Sequence, residues 1–209
     1  MNKIAIIGTG GFARHIKELV DLNDNFAFCG FIGKKDDVNA NYYDCDIEKL
    51  RSDDVRHLVN GIGNLSENNK KIIELVNYYI NKKFNFPIII HPSACVSPSA
   101  SIGNGTLILE NAVIKSHSNI GEFCIINTLS IVSHDCSLGN FNHLSLGAKM
   151  GGNVKINNNN FFGINSSVIQ NVSIGSNVIV GAGSVVINDF GSDLKIVGNP
   201  AKEMLVKKK

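Results

Sequence analysis

The sequence predicts a two-part architecture. A small Rossmann-like α/β domain with a parallel sheet occupies residues 1–90, and an all-β parallel β-helix with a C-terminal cap occupies 91–209. Three observations predict it. Strand-like and helix-like apolar patterns alternate as far as Pro87, which calls for parallel strands joined by crossover helices. Between positions 96 and 186 every sixth residue is apolar without a break. Beyond 188 the beat stops, as a segment closing the end of a solenoid would require.

The elements of the first part follow in order. Ile4-Ala5-Ile6-Ile7 is a continuous apolar run of the kind a buried parallel strand shows. Gly8-Thr9-Gly10-Gly11 reads as a turn, and residues 12–22 as a helix with Ile16, Leu19 and Val20 on one face. Residues 26–32 make a second strand and 57–63 a third. Residues 66–80 read as a helix opened by Ser66 as N-cap, and 86–90 as a fourth apolar run.

In the second part the inward residues are Val96, Ile102, Ile108, Ile114, Ile120, Ile126, Val132, Leu138, Leu144, Met150, Ile156, Phe162, Val168, Ile174, Val180 and Val186. A helix cannot keep one side chain inward at a period of six, and a flat strand alternates at two. A three-sided coil can, with one hexad per side and 18 residues per turn. The fifth hexad position is mostly small (Ala100, Thr106, Ala112, Ser118, Cys124), which suits a crowded corner. Glycine often follows the aliphatic residue, as at Gly103, Gly121 and Gly139, and is expected to make the turns.

Composition narrows the function classes. Apolar residues make up 44% of the chain and the formal net charge is +2, with Lys207-Lys208-Lys209 holding much of the excess, so neither nucleic acid nor a membrane is an expected partner. No apolar run reaches the roughly 18 residues of a membrane span, and the first residues lack a signal-peptide layout. Five cysteines without CxxC spacing read as small hydrophobes in a reducing cytoplasm, with no metal expected.

Two motifs stand out. Gly8, Gly10 and Ala13 form a GxGxxA pattern between a strand and a helix, the dinucleotide fingerprint. A nicotinamide cofactor would want an acid at the end of the second strand, where the chain reads Gly33-Lys34, so oxidoreductase chemistry is disfavoured. The second motif is IVSHDCSLGNFNHLSLGAKMGG, residues 131–152, where His134, Asp135 and His143 interrupt the repeat.

IAIIGTGGFAR, GIGN, HPSACVSPSASIG, VSHDCSLGNFNHLSLGAKMGG and VGNPAK together make the chain similar to a known family. It resembles the bacterial sugar acetyltransferases related to sialic acid O-acetyltransferase and to the nucleotide-linked amino-sugar N-acetyltransferases. These are left-handed β-helix proteins of the hexapeptide-repeat superfamily. The resemblance covers essentially the whole chain. It implies a homotrimer with acetyl-CoA between adjacent β-helices, and a nucleotide-linked sugar on the N-terminal domain. The implied reaction is acetylation of the amine of a UDP- or dTDP-linked 4-amino-4,6-dideoxy sugar for surface glycan (O-antigen type) biosynthesis.

By that resemblance His134 is the general base and Asp135 orients it and favours its charged form. Successive residues of a straight strand face opposite ways, so Asp135 can reach its neighbour only near a corner. His143 matches a position that contacts acetyl-CoA near its acetyl group, and Gly152, Ile164 and Ala182 match further cofactor contacts. Lys202 and Lys195 flank the VGNP turn and suit the CoA phosphates. His117 lies 18 residues before Asp135, hence one coil beneath it. Gly10, Gly11, Phe12 and Gly63 match the sugar-nucleotide site, as do positions Gly33 and Lys34, where relatives commonly carry paired aspartates. Either Asp36 and Asp37 substitute for those, or the base is read by other groups.

Three other readings remain open at the level of sequence. One is an O-acetyltransferase of sialic acid or a related sugar on the same scaffold. Another is a β-helix metalloenzyme using His117, His134 and His143 across a trimer interface, and the last is a structural sugar-binding trimer.

Overall fold

A computed structural model describes residues 1–44, 46–63 and 69–204. The chain divides into two compact units, with the passage from first to second at Ile89–Ile90.

In the first unit, β1 (Asn2–Ile7) is flanked by β2 (Phe26–Gly33) and β4 (His57–Asn60), with β3 (Tyr42–Tyr43) outside β2. All neighbours are parallel. Ile4, Ala5, Ile6 and Ile7 are fully buried, as the unbroken apolar run required. Helix α1 (Gly11–Asp21) turns Ala13, Ile16, Leu19 and Val20 inward. Each large aliphatic buried this way contributes about 1.5–3 kcal/mol. Helix α2 (Ile47–Ser52) is capped by Asp46, whose carboxylate accepts the Lys49 N–H at 3.2 Å. Helix α3 spans Asn69–Asn81, and the expected Ser66 cap lies outside the described residues.

Three details differ from the sequence expectation. Neither β3 nor α2 was anticipated, because two and six residues are too few to display a period. The third strand stops at Asn60, whose side-chain oxygen accepts the Ile62 N–H at 3.1 Å and bends the chain. The apolar run 86–90 does not add a strand to this sheet. Phe86 is buried, while Ile89–Ile90 is the first rung of a sheet in the solenoid.

The second unit is a left-handed β-helix with sheets of eight, six and five strands, parallel throughout except for the last strand of the eight-stranded sheet. Rungs pair with those 18 residues away, as Ile125 does with Leu107 and His143, until the last, where Ile179 pairs with Lys195 16 residues on. The inward column is dry: from Ile108 to Val186 every sixth residue is at most 3% exposed.

The small fifth positions do more than fit a tight corner. Ser118 Oγ donates to the Ser133 carbonyl at 2.6 Å and accepts the Cys136 N–H at 3.2 Å. Thr106 Oγ1 makes the same pair of bonds with Gly121 O and Cys124 N. These buried hydroxyls satisfy backbone groups that the corner takes out of the ladder.

The glycines behave differently from expectation. Left-handed φ falls three residues after each inward aliphatic, at fourteen successive corners from Gly105 (+71°) to Gly183 (+67°). Asparagine occupies six of those corners, being the non-glycine residue best suited to that conformation. The glycines directly after the aliphatic residue answer a different need, the close approach of the next coil. A β-carbon at Gly121 would lie 2.6 Å from the Gly139 carbonyl oxygen.

The last rung, Lys195–Gly198, turns back as an antiparallel pair with Ala201–Glu203 and buries Ile196 and Ala201 over the open end. Among the described residues no helix is long and apolar enough to cross a membrane.

Candidate active site

Asp135 occupies one of the left-handed corners, with φ of 60°. That bend removes the strand alternation that would have pointed His134 and Asp135 apart. His134 Nδ1 and Asp135 Oδ2 are 2.7 Å apart, and both side chains are more than half exposed. The carboxylate leaves Nδ1 as the protonated nitrogen, so Nε2 carries the lone pair. Two backbone bonds lock the corner between its neighbours: Asp135 N–H donates to Ser116 O at 3.0 Å, and Asn153 N–H donates to His134 O at 2.9 Å.

Gly152 is the floor of this site. A β-carbon there would fall 2.7 Å from His134 Cε1 and 2.8 Å from Nε2. The imidazole therefore rests on the bare backbone one coil above its own. His117 sits at the same corner one coil below, exposed, with φ of 57°.

His143 is on a different part of the prism. Nine residues are half a coil, so His143 starts a rung of the eight-stranded sheet, whereas His134 caps the corner between the other two. One chain does not bring the two imidazoles to one corner. His143 is buried; its Nε2 lies 3.4 Å from Asn127 Nδ2, and its ring meets the edge of Phe161 at 5.2 Å. Asn127 Oδ1 accepts the Thr128 N–H at 2.8 Å, and Thr128 Oγ1 donates to Glu110 Oε2 at 2.8 Å. Sequence reasoning passed over Asn127 because an asparagine in this repeat is usually a corner residue.

Ile164 and Ala182 are exposed and stacked one coil apart at the corner adjoining the His143 face, with Leu146 beneath them. Gly183 N–H donates to Ile164 O at 2.8 Å. Lys195 and Lys202 both lie on the terminal hairpin with exposed side chains. Among the described residues no three His, Cys, Asp or Glu side chains of one chain gather as a metal site.

In the first unit a cleft of about 570 Å³ opens at the C-terminal ends of β1 and β2, where open parallel sheets take their ligands. Gly33 and Lys34 line it with Gly8, Thr9, Asp37 and Lys71. Gly10 is the N-cap of α1, Gly11 and Phe12 open that helix, and Gly63 approaches the Phe12 ring; none of these four is a lining residue of the cleft. Of the two aspartates offered as substitutes, Asp37 is the one in the cleft. Its Oδ2 accepts the Thr9 hydroxyl and its Oδ1 the Asn39 N–H at 2.9 Å. The Thr9 bond is the main reason the Asp37 carboxyl is held below its ordinary value. Gly33 makes the arrangement possible: a β-carbon there would lie 2.9 Å from Thr9 Cγ2 and 3.3 Å from Asp37 Oδ2.

Residues 3–75 match the family model described as the PglD N-terminal domain. Perosamine N-acetyltransferase from Caulobacter crescentus, solved as a histidine-to-asparagine variant with CoA and GDP-perosamine, is 30% identical. The match covers 99% of this chain and 98% of that one, with a TM-score of 0.89. The acetyltransferase domain of PglB from Neisseria gonorrhoeae FA1090 is also 30% identical, over 98% of this chain and all of that one, with a TM-score of 0.88. That domain has also been solved with acetyl coenzyme A. WeeI from Acinetobacter baumannii AYE, 24% identical with a TM-score of 0.81, shares the fold. No protein of curated function matches the sequence.

Proposed function

The chain belongs to the bacterial sugar N-acetyltransferases that join a PglD-type N-terminal domain to a left-handed β-helix, and from that premise we propose its acceptor and the residues that serve it. It is an acetyl-CoA-dependent acetyltransferase. The proposed acceptor is the amine of a nucleotide-linked amino-deoxy sugar, of the UDP- or dTDP-4-amino-4,6-dideoxy type, in surface glycan assembly in the cytoplasm. The Caulobacter relative binds GDP-perosamine, which makes a GDP-sugar the first alternative to test.

The observation that carries the reading is the His134–Asp135 pair seated on Gly152. The acceptor nitrogen forms a bond to the thioester carbonyl carbon, its proton passes to His134 Nε2, and the C–S bond breaks. The proton then goes to the departing sulfur, which leaves as the thiol. Asp135 stabilises the imidazolium in between and prevents the ring from turning. The residues present suit the methylene and methyl groups of the pantetheine arm of CoA: Leu146, Ile164 and Ala182 form an exposed column beside the His143 face, with Lys195 and Lys202 toward the end for phosphates.

Because His134 and His143 occupy different sides of one prism, a site using both needs the corner of one subunit against the face of the next. A closed ring of subunits, as in the proposed homotrimer, would provide that contact at every site. The sugar-nucleotide is assigned to the cleft at Gly33, Lys34 and Asp37, with its diphosphate toward Gly10, Gly11 and the N-terminus of α1, and Phe12 and Gly63 beside it.

Thermal unfolding with acetyl-CoA and with UDP-, dTDP-, GDP- and CMP-linked amino sugars tests the reading, because a bound ligand raises the midpoint by mass action. Stabilisation by acetyl-CoA and one amino-sugar nucleotide, followed by turnover of that pair, is expected. Stabilisation only by a sugar without an amine, with acetyl transfer to its hydroxyl, overturns it in favour of O-acetylation.

A further inference from the structure

Four cationic side chains converge on the first unit at the edge of its sheet opposite the cleft. The cleft opens at the C-terminal ends of β1 and β2. Arg51 belongs to the last turn of α2, Arg56 directly precedes β4, and Lys82 and Lys83 follow α3. In a parallel sheet, residues leading into a strand and residues beyond its end lie at opposite edges. There Arg51, Arg56, Lys82 and Lys83 surround a hollow of about 190 Å³, with Phe84 as the remaining lining residue. The hollow shares no residue with the cleft, and among the described residues no carboxylate lines it.

Backbone bonds fix both walls. Val55 N–H donates to Leu50 O at 2.9 Å and Asp54 N–H to Arg51 O at 3.0 Å, which closes the turn after α2. Lys83 N–H donates to Ile80 O at 2.8 Å and Phe84 N–H to Tyr79 O at 3.1 Å, which closes the turn after α3. Asn85 N–H donates to Arg56 O at 3.0 Å and joins the two walls. The guanidiniums are tethered in turn: Arg51 Nη2 donates to Lys82 O at 3.0 Å, and Arg56 Nη1 to Arg51 O at 3.3 Å. The Lys82 carbonyl takes one of the five N–H donors of Arg51. Phe84 is buried, with its ring edge-on to Tyr79 at 5.7 Å, and gives a rigid floor.

The chain as a whole carries a net charge of only +2, so the gathering is local. Asp54 Oδ1 lies 3.3 Å from Arg56 Nη2, but both side chains of that pair are at least half exposed, where such a contact is worth little. Size and charge together define the ligand. The hollow is smaller than the roughly 300–1,000 Å³ of pockets that enclose a drug-sized molecule, so it does not take in a whole nucleotide-sugar. Arginine offers a planar fork matched to two phosphate oxygens and lysine a compact point charge. Two of each around one concavity suit a tetrahedral, multiply charged group better than a single carboxylate.

We propose that Arg51, Arg56, Lys82 and Lys83 form an anion site for a phosphate or diphosphate group, with Phe84 as its floor. It does not depend on the acetyltransferase reading, because none of its residues belongs to the cleft or to the His134 corner. The group is either free in solution or the head of an anionic lipid, and the experiment separates these sources.

Equilibrium dialysis of the full chain with radiolabelled pyrophosphate, at constant ionic strength, counts sites per chain. Arg51→Gln with Lys83→Asn removes two charges but keeps an amide donor for Lys82 O and a residue suited to the left-handed φ of 64° at position 83. That variant should weaken one site per chain by about tenfold or more. Any other pyrophosphate site is common to parent and variant and cancels in the difference. Lys17→Gln with Lys70→Gln removes the same charge from α1 and α3 and should leave the site intact. Flotation with phosphatidylcholine vesicles, with and without phosphatidate, forms the second arm. Pyrophosphate binding without flotation identifies a soluble phosphate, and flotation lost in the Arg51/Lys83 variant identifies a headgroup. Arg56→Gln replaces that variant if its thermal midpoint falls well below the parent's. A parent that binds neither probe overturns the proposal. Binding unmoved in the pocket variants, or weakened equally by the Lys17/Lys70 variant, overturns it as well.

Discussion

The ring of His134 lies on Gly152 so closely that a β-carbon at 152 would intrude to 2.7 Å from Cε1. The glycine matched a cofactor contact in sequence; in the fold its lack of a side chain also leaves room for the imidazole. Gly152→Ala must push the ring off its seat, because the backbone beneath is fixed by the Asn153 N–H bond to His134 O. Displacing a reacting group by an ångström costs up to about a hundredfold. A fall in kcat of about ten- to a hundredfold, with acetyl-CoA affinity by calorimetry within a few-fold of the parent, is expected. An unchanged kcat would show that the ring does not need this seat.

His134→Ala removes the proposed base and should lower kcat by about a hundredfold or more. Asp135→Asn keeps the shape of the corner and an oxygen acceptor, but not the charge proposed to stabilise the imidazolium. Its kcat should fall less than that of His134→Ala, and the variant should unfold at nearly the parent temperature because both side chains are exposed. Steady-state kinetics on the two variants side by side check the order. A larger loss in Asp135→Asn than in His134→Ala would reverse the assignment.

Much of this was legible beforehand, for a physical reason. A coil of 18 residues repeats its environment so often that the inward column from Val96 to Val186 declares itself without any alignment. The same arithmetic separates residues 134 and 143 by half a coil. What the pattern hid was local. Both Asp135 and Gly121 sit at corners, yet one needs left-handed φ and the other needs the absence of a side chain, and composition alone merges the two demands. Asn127 looked like one more corner asparagine, and its contact with His143 depends on a side-chain orientation that spacing does not encode. The short elements β3 and α2 carry too few residues to announce themselves.

Cys124 is fully buried at a corner, and burial pushes its thiol up to about 12 from an ordinary value of 9.0. The folded state therefore keeps the thiol protonated where the unfolded chain would ionise it. The stability this contributes is complete below the unfolded value and is lost as pH rises toward the folded one. Thermal midpoints should decline from about pH 9 upward, and part of that decline should vanish in Cys124→Ala once its lower baseline is subtracted. At neutral pH an aromatic disulfide reagent should leave Cys124 unmodified in the folded protein. Rapid labelling of Cys124 without denaturant would contradict the packing.

Asp37 ties residues 34–40 to Thr9 at the mouth of the cleft proposed for the nucleotide. Asp37→Ala removes the acceptor of both bonds and should weaken nucleotide-sugar binding about tenfold. Acetyl-CoA affinity should be unaffected, because no part of its proposed site lies in this cleft. The carboxyl titrates below its ordinary value with Thr9 as the main cause, so the tether persists through the neutral range and fails only in strong acid. Calorimetry with each ligand separately measures both arms, and equal weakening of the two would mean a general loss of structure.

The separation of His134 and His143 onto different sides of one prism makes subunit exchange informative. If each site takes His134 from one subunit and His143 from the next, His134→Ala and His143→Ala are each damaged at every site of a homotrimer. In mixed trimers, a subunit with intact His134 can stand beside one with intact His143. Random co-assembly of equal amounts then rebuilds both histidines at roughly one quarter of the sites, since each site draws its two residues independently from adjoining members of a closed ring. Co-expression of the two variants with different affinity tags, followed by isolation of doubly tagged protein, raises that fraction further. Activity well above the sum of the separate variants is expected. Activity no greater than that sum would place both histidines of a working site on one chain, or remove one of them from it.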